Sequence, residues 1–282
     1  MSGYKGWTGR GIGIAMMLAF AGMHTARAMT VDKLLDAMRE AYEQQRREIK
    51  DYTLVVAGLA GRQTVYHQKY TEEGQTRFRV RNEQGVSSVG FFPGLEEDAL
   101  RRAGRYAGRE TRDGTELHVI AIDEITDSDP DHEMDEPQVR RNVRLYIEPD
   151  KWVVRRLTYE MDADLSVVEP GLKGRGLISV HSDDYRDVQG MWIAHRTVMS
   201  TRILEDDLRD RFQAAIQQIL EQVEQRLREL QDSESPPAHA ERMTRMLESQ
   251  KKAMKATLRG EFVTEVEAVR VNTGLPDNQF LE

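Results

Sequence analysis

The sequence predicts a mainly β protein with α: a curved antiparallel sheet wrapped over amphipathic helices, with a long helical hairpin inserted before the last strand. Three observations carry this. Short β-rich or alternating segments bounded by turn residues recur between positions 52 and 203. Between 204 and 258 the apolar period changes to every third or fourth residue. One more strand-like segment, 262–271, follows.

The chain starts with Lys5 and Arg10 and has no acid before Asp32. An uncharged stretch, 11–23, centres on Ile12, Ile14, Met16, Met17, Leu18 and Phe20. Ala26-Arg27-Ala28 then supplies the small–x–small pattern of a cleavage site, so residues 1–28 are expected to be a secretory signal peptide. The apolar run is shorter than the ~20 residues that span a bilayer. There is no cysteine to accept lipid at the cut. The expectation is export, and work in the periplasm.

The formal net charge is −8, with 48 acidic against 40 basic residues, and loss of Lys5, Arg10 and Arg27 makes the mature chain more acidic still. This argues against nucleic acid and against broad adhesion to anionic membranes. The absence of cysteine excludes thiolate nucleophiles, disulfide exchange and Cys-based metal sites.

Each element has its own signal. Thr30 can cap a helix whose Leu34, Leu35, Met38, Ala41 and Tyr42 recur on one face, which must lie against something. Segments 52–59 and 64–70 are rich in β-formers, and Glu73-Gly74 marks a turn. Phe78 and Val80 alternate with Arg77, Arg79 and Arg81, the pattern of a half-buried strand. Segment 86–92 reads as another strand, Pro93-Gly94 breaks it, and 95–106 reads as a short helix or loop. Segment 117–122 is a strand, and 123–137, acidic and proline-containing, reads as an exposed loop. Val143, Leu145 and Ile147 point one way in a hairpin turned by Glu148-Pro149-Asp150-Lys151. A second hairpin joins 177–185 to 191–203 around Asp187-Val188-Gln189-Gly190. Short turns between sequential strands make a meander. Leu208, Phe212, Ile216, Leu220, Val223 and Leu227 then give a strong amphipathic helix, stopped by Pro236 and Pro237. Met243, Met246, Leu247, Met254 and Leu258 mark a second helix, ended by Gly260.

The string Ser182-Asp183-Asp184-Tyr185-Arg186-Asp187-Val188-Gln189-Gly190-Met191-Trp192, followed by Ala194-His195-Arg196, resembles the penultimate hairpin of the LolA-like outer membrane lipoprotein-sorting family. The ending Val271-Asn272-Thr273-Gly274-Leu275-Pro276-Asp277 with Phe280 is similar to that family's last strand and tail. Tyr146-Ile147-Glu148-Pro149-Asp150 with Val153-Val154-Arg155 resembles its middle strands. The resemblance implies the fold shared by LolA, LolB and RseB: a half-barrel at 29–203 and 259–282, with 204–258 as a helical hairpin insertion. It implies a periplasmic carrier whose concave face shields lipid or lipoprotein acyl chains on the way to the outer membrane. A membrane transporter and an acceptor protein are the candidate partners. The alternative is an RseB-like sensor or binding module acting through protein contact. This chain departs from the family in having Ala194 where proline is common and in the length of its insertion. Arg62, Arg77 and Arg79 are all candidates for the family's lid-latching arginine.

No catalytic motif is present: no zinc-protease helix, nucleophile elbow or phosphate-binding glycine loop. The reading is a non-enzyme without cofactor or metal. His118, His181 and His195 stand alone on strands, and the acidic cluster Asp129, Asp131, His132, Glu133, Asp135 and Glu136 lacks the glycine-punctuated spacing of a calcium loop. Asp183 and Asp184 are adjacent on a strand and so point to opposite faces. Leu54, Val56, Phe78, Val80, Leu145 and Ile147 are the candidate ligand-binding residues, and the same alternation suits plain core. The inserted helices either pack on each other or inside the barrel mouth, or else form a mobile lid or partner-binding arm, for which Met243, Met246 and Met254 offer an adaptable surface.

Overall fold

The computed structural model describes residues 29–59, 61–72, 75–82, 85–89, 97–127, 138–166, 170–232 and 240–275. The expected signal peptide, the turns at Glu73-Gly74 and Pro93-Gly94, the acidic cluster at 129–136, Pro236 and Pro237, and the tail from Pro276 lie outside the described residues.

Among the described residues eleven strands form one sheet: β1 (Asp51–Gly58), β2 (Gly61–Glu72), β3 (Gln75–Asn82), β4 (Gly85–Val89), β5 (Arg105–Arg112), β6 (Thr115–Asp127), β7 (Gln138–Glu148), β8 (Val153–Asp164), β9 (Lys173–Val188), β10 (Met191–Ile203) and β11 (Glu261–Val271). Its order is β4-β3-β2-β1-β11-β10-β9-β8-β7-β6-β5, antiparallel throughout. The sheet is curved over helices and does not close, so the half-barrel architecture holds. It departs from a simple meander in two places. β4 and β5, consecutive in sequence, sit at opposite edges. β11, last in sequence, zips the two wings together between β1 and β10.

Helix α1 (Val31–Gln45) starts where the sequence places it, with the Lys33 amide donating to Thr30 Oγ1 at 3.3 Å. Its buried Val31, Leu34, Leu35 and Met38 occupy one face. They pack on Leu100 of α2 (Glu97–Ala103) and on Ile120, Ile122, Val143, Leu145 and Ile147 of β6 and β7. The guanidinium of Arg101 ties the two helices through Asp32, Asp36 and Glu97 at 3.1, 2.6 and 2.7 Å. A second cluster, Ile49, Phe78, Met191 and Ile193, gathers Tyr42, Tyr52, Leu54, Val269 and Val271 where β11 meets β1. The chain after β11 is latched to the same corner, since the Thr273 and Gly274 amides donate to the buried Asp51 carboxylate at 2.8 and 3.2 Å.

Two expectations are corrected. Within 95–106 the described residues give the expected short helix, α2, but from Arg105 the chain is already β5, an edge strand in which exposed and half-buried residues alternate. Residues 123–127 are not loop but the end of β6, held by pairing with β7. The turn between β5 and β6 is Asp113-Gly114, both at positive φ (50° and 77°), the backbone a two-residue hairpin needs.

α3 (Asp206–Gln231) and α4 (Ala240–Arg259) stand between β10 and β11. They pack on each other through Val223, Leu227 and Leu247, with Leu230 and Met254 at the margin, as the first of the two readings has it. Lys251 and Lys255 of α4 both reach Glu224 of α3, at 2.9 and 3.4 Å. Gly260 stops α4 at φ +65°, and its carbonyl accepts from the Thr201 amide at 2.8 Å, returning the chain to the sheet.

Candidate functional site

A cavity of about 260 Å³ lies between α1 and the strands β7 to β10. Its wall on the helix side is Met38, Tyr42, Gln45 and Arg46, at i, i+4, i+7 and i+8, one face of α1 and its C-cap. On the sheet side, Leu145 pairs with Leu157 and Leu157 with Val180, so these three form one apolar row across β7, β8 and β9. Val153, Val154 and the indoles of Trp152 and Trp192 complete the apolar part.

Most polar groups at the wall are already engaged. Gln45 Nε2 donates to the Lys151 carbonyl at 3.1 Å, and its Oε1 faces the Trp192 amide at 3.5 Å. Ser182 Oγ shares a hydrogen bond with Thr197 Oγ1 at 3.3 Å. The Tyr185 hydroxyl donates to the Val154 carbonyl at 2.7 Å, and burial pushes its phenol up to about 12. The Lys151 ammonium sits 5.2 Å over the Trp192 ring.

Arg46 differs from these. Its guanidinium carbon lies 3.8 Å from the Tyr42 ring centroid, and its Nε is buried with no hydrogen-bond partner. Among the described residues no carboxylate pairs with it. Burial pulls its pKa below the ordinary arginine value, with Tyr42 and Tyr52 opposing the shift. Beside it, Tyr52 stacks on His67 at 4.0 Å and 10°. Burial lowers His67 to about 4, and its Nδ1 has no partner. His118 belongs to the α1 side of the sheet, where Tyr106 hydroxyl meets its Nδ1 at 2.8 Å and the Trp152 ring runs parallel to it at 6.2 Å. Burial again lowers its pKa.

The six sequence candidates do not converge on one site. Leu145 lines the cavity. Ile147 is fully buried in the α1 core. Phe78 and Leu54 belong to the second cluster. Val80 is buried on β3, and Val56 is half-buried where the β1–β11 register shifts. None of Arg62, Arg77 and Arg79 lines the cavity; Arg62 pairs with Glu267 at 2.7 Å, and Arg79 lies 5.2 Å over the Tyr70 ring. The residues that sequence reasoning missed are Arg46, Leu157, Val180 and the two tryptophans. Met38 and Tyr42 had a signal, the apolar face of α1.

Asp183 and Asp184 are taken up separately, by Arg196 at 2.8 Å and Arg186 at 2.5 Å. A larger recess, about 870 Å³, runs between α4 and strands β1, β10 and β11. Its lysines are engaged, Lys251 and Lys255 by Glu224 and Lys252 by the Gly58 carbonyl. Glu248, Glu261 and Glu265 line the same recess. Among the described residues no group of three His, Asp or Glu could hold a metal ion, and no helix is long and apolar enough to cross a membrane.

No family model matches the chain, and no curated protein matches it. Among solved structures it is similar to a domain from Vibrio parahaemolyticus named for outer membrane lipoprotein sorting, at 8% identity and a TM-score of 0.38 over 89% of this chain and 97% of that one. It is similar to a LolA superfamily protein from Nitrosomonas europaea at 9% identity and a TM-score of 0.35, over 90% of this chain and 99% of that one. A third likeness, to a chain of the Pseudomonas aeruginosa MucA/MucB complex, has 11% identity and a TM-score of 0.21 over 63% of this chain and 89% of that one. Overlaps this loose carry no argument about what the chain binds.

Proposed function

We propose that this chain is a periplasmic carrier that holds an acyl chain, free or on a lipoprotein, between α1 and the open sheet, for transfer toward the outer membrane. The observation that carries the reading is the cavity that the apolar row Leu145–Leu157–Val180 lines together with Met38 and Tyr42 of α1. Each methylene taken out of water contributes ~0.8 kcal/mol, so a chain with ten buried methylenes gains about 8 kcal/mol before the costs of ordering it. Binding of this strength needs a release step. α1 is the movable wall, because it is joined to the sheet by side-chain packing and not by strand pairing. The signal-like start at 1–28 supports the compartment. The chemistry asked of the protein is burial and exposure of a chain, with no bond made or broken.

Native mass spectrometry of the protein purified from its own periplasm, followed by lipid extraction, tests this. A co-purified lipid or acylated protein near one-to-one supports the carrier. A clean apo mass with no uptake of added lipid overturns it.

A further inference from the structure

We propose that the cavity takes a single-chain amphiphile with an anionic head, carboxylate or phosphate, and that Arg46 receives the head. The inference rests on the carrier reading and adds a ligand class to it.

The cavity has two chemically distinct ends. Met38 and Arg46 are eight residues apart on α1, about 12 Å at helical rise. Met38 belongs to the same packed cluster as Leu145 and Leu157. The Arg46 end carries a cation whose Nε is buried without a hydrogen bond. Polar groups shut away from water are nearly always hydrogen-bonded in folded proteins, and each exception calls for an explanation. Gln45, Ser182 and Tyr185, which share the wall, already spend their polar atoms on protein partners. Arg46 lies over the face of Tyr42, which satisfies the charge in part and leaves the buried Nε donor unpaired. An incoming oxyanion would supply what is lacking: acceptors for a forked set of N–H donors, and a counter-charge.

The size of the space selects the tail. About 260 Å³ is below the ~300–1,000 Å³ typical of pockets for drug-sized ligands. It suits one chain and not the several chains of a membrane phospholipid. The row Leu145–Leu157–Val180 crosses three strands, about 10 Å at normal strand spacing, close to the length of the helix-side wall. A linear tail over that row with its head at Arg46 covers both walls.

The test is isothermal titration calorimetry of the full mature protein with dodecanoate, dodecyl phosphate and dodecanol, which share a tail and differ in the head. Arg46→Gln and Arg46→Met are the variants, each checked by circular dichroism, so that one folded neutral variant suffices. The wild type is expected to bind one or both anions at least ~10-fold tighter than dodecanol, the size of a charge-assisted hydrogen bond. The neutral variant is expected to lose that preference, its affinities for the anions and for dodecanol becoming equal. The stronger of the two anions identifies a free-acid or a phosphorylated head. Equal binding of anion and alcohol by the wild type, or a preference that survives in the neutral variant, overturns the role of Arg46 and leaves the carrier intact. Failure of all three probes to bind sinks the carrier reading itself.

Discussion

The guanidinium carbon of Arg46 sits 3.8 Å from the centroid of the Tyr42 ring, one helical turn before it on α1. Both residues line the same cavity. The ring therefore does two jobs: it forms part of the chain-facing wall and it seats the cation at the cavity's polar end. A cation over an aromatic face contributes ~0.5–2 kcal/mol, more when water is excluded. Tyr42→Leu should therefore be less stable than Tyr42→Phe by about 1 kcal/mol, because only phenylalanine keeps the ring. Urea denaturation of the two variants measures the difference.

Filling the cavity should abolish chain uptake without unfolding the protein. Val180 ends the apolar row of the sheet-side wall, paired with Leu157 on β8. Val180→Phe adds bulk where space exists, so its cost should stay within the ~1–3 kcal/mol of an overpacked core. Uptake of a fluorescent acyl probe should fall at least ~10-fold, since a chain can no longer lie over the row and each lost methylene contact weakens binding.

His67 should make stability sensitive to mild acid. Its folded value is about 4 against an ordinary 6.5, with burial as the main cause. The fold thus favours the neutral ring. Above pH 6.5 this contribution is complete; as pH falls toward 4 the unfolded chain takes up a proton that the folded one resists, and stability drops. The total is about 3 kcal/mol over that window, at ~1.4 kcal/mol per unit. His67→Phe keeps a ring against Tyr52 and removes the titration. Urea midpoints from pH 7.5 to 4 should therefore fall less steeply in the variant, and parallel curves would show that His67 is not the source.

Gly260 should tolerate no side chain. It holds φ +65°, and a Cβ there would stand 2.5 Å from the Thr201 carbonyl oxygen. The left-handed conformation alone costs ~1–2 kcal/mol for an L-residue, and the clash adds to it. Gly260→Ala should lower the thermal midpoint by several degrees, while alanine at Gly61, also at positive φ but with nothing within 4 Å, should cost only the conformational part.

Much of the fold was legible because single faces carry it. Leu34, Leu35 and Met38 announce α1 by spacing alone, and Val143, Leu145 and Ile147 announce the α1 side of β7. β5 was not legible. It has little apolar surface of its own and is held at the sheet edge by pairing with β6; the Asp113-Gly114 dipeptide was its one local sign. The position of β11 between β1 and β10 was equally hidden, because strand order depends on pairings that local sequence does not encode. At the site, Leu145 could be named, but alternation gives Ile147 the same signature and the structure buries it completely in the core. Arg46 was hidden for another reason. In sequence it is one half of Arg46-Arg47 at the polar end of a helix; only the fold makes Arg47 exposed while the Nε of Arg46 is buried.

The most direct test of the account is to ask where a bound chain lies. The mature protein would be loaded with a fatty acid bearing a diazirine in its tail, irradiated, digested and sequenced by mass spectrometry. Label on the peptides that carry Met38 and Tyr42, and on those that carry Leu157 and Val180, is the predicted result, because these residues line the cavity. Label confined to the α3–α4 hairpin, or spread without preference over the surface, would contradict it.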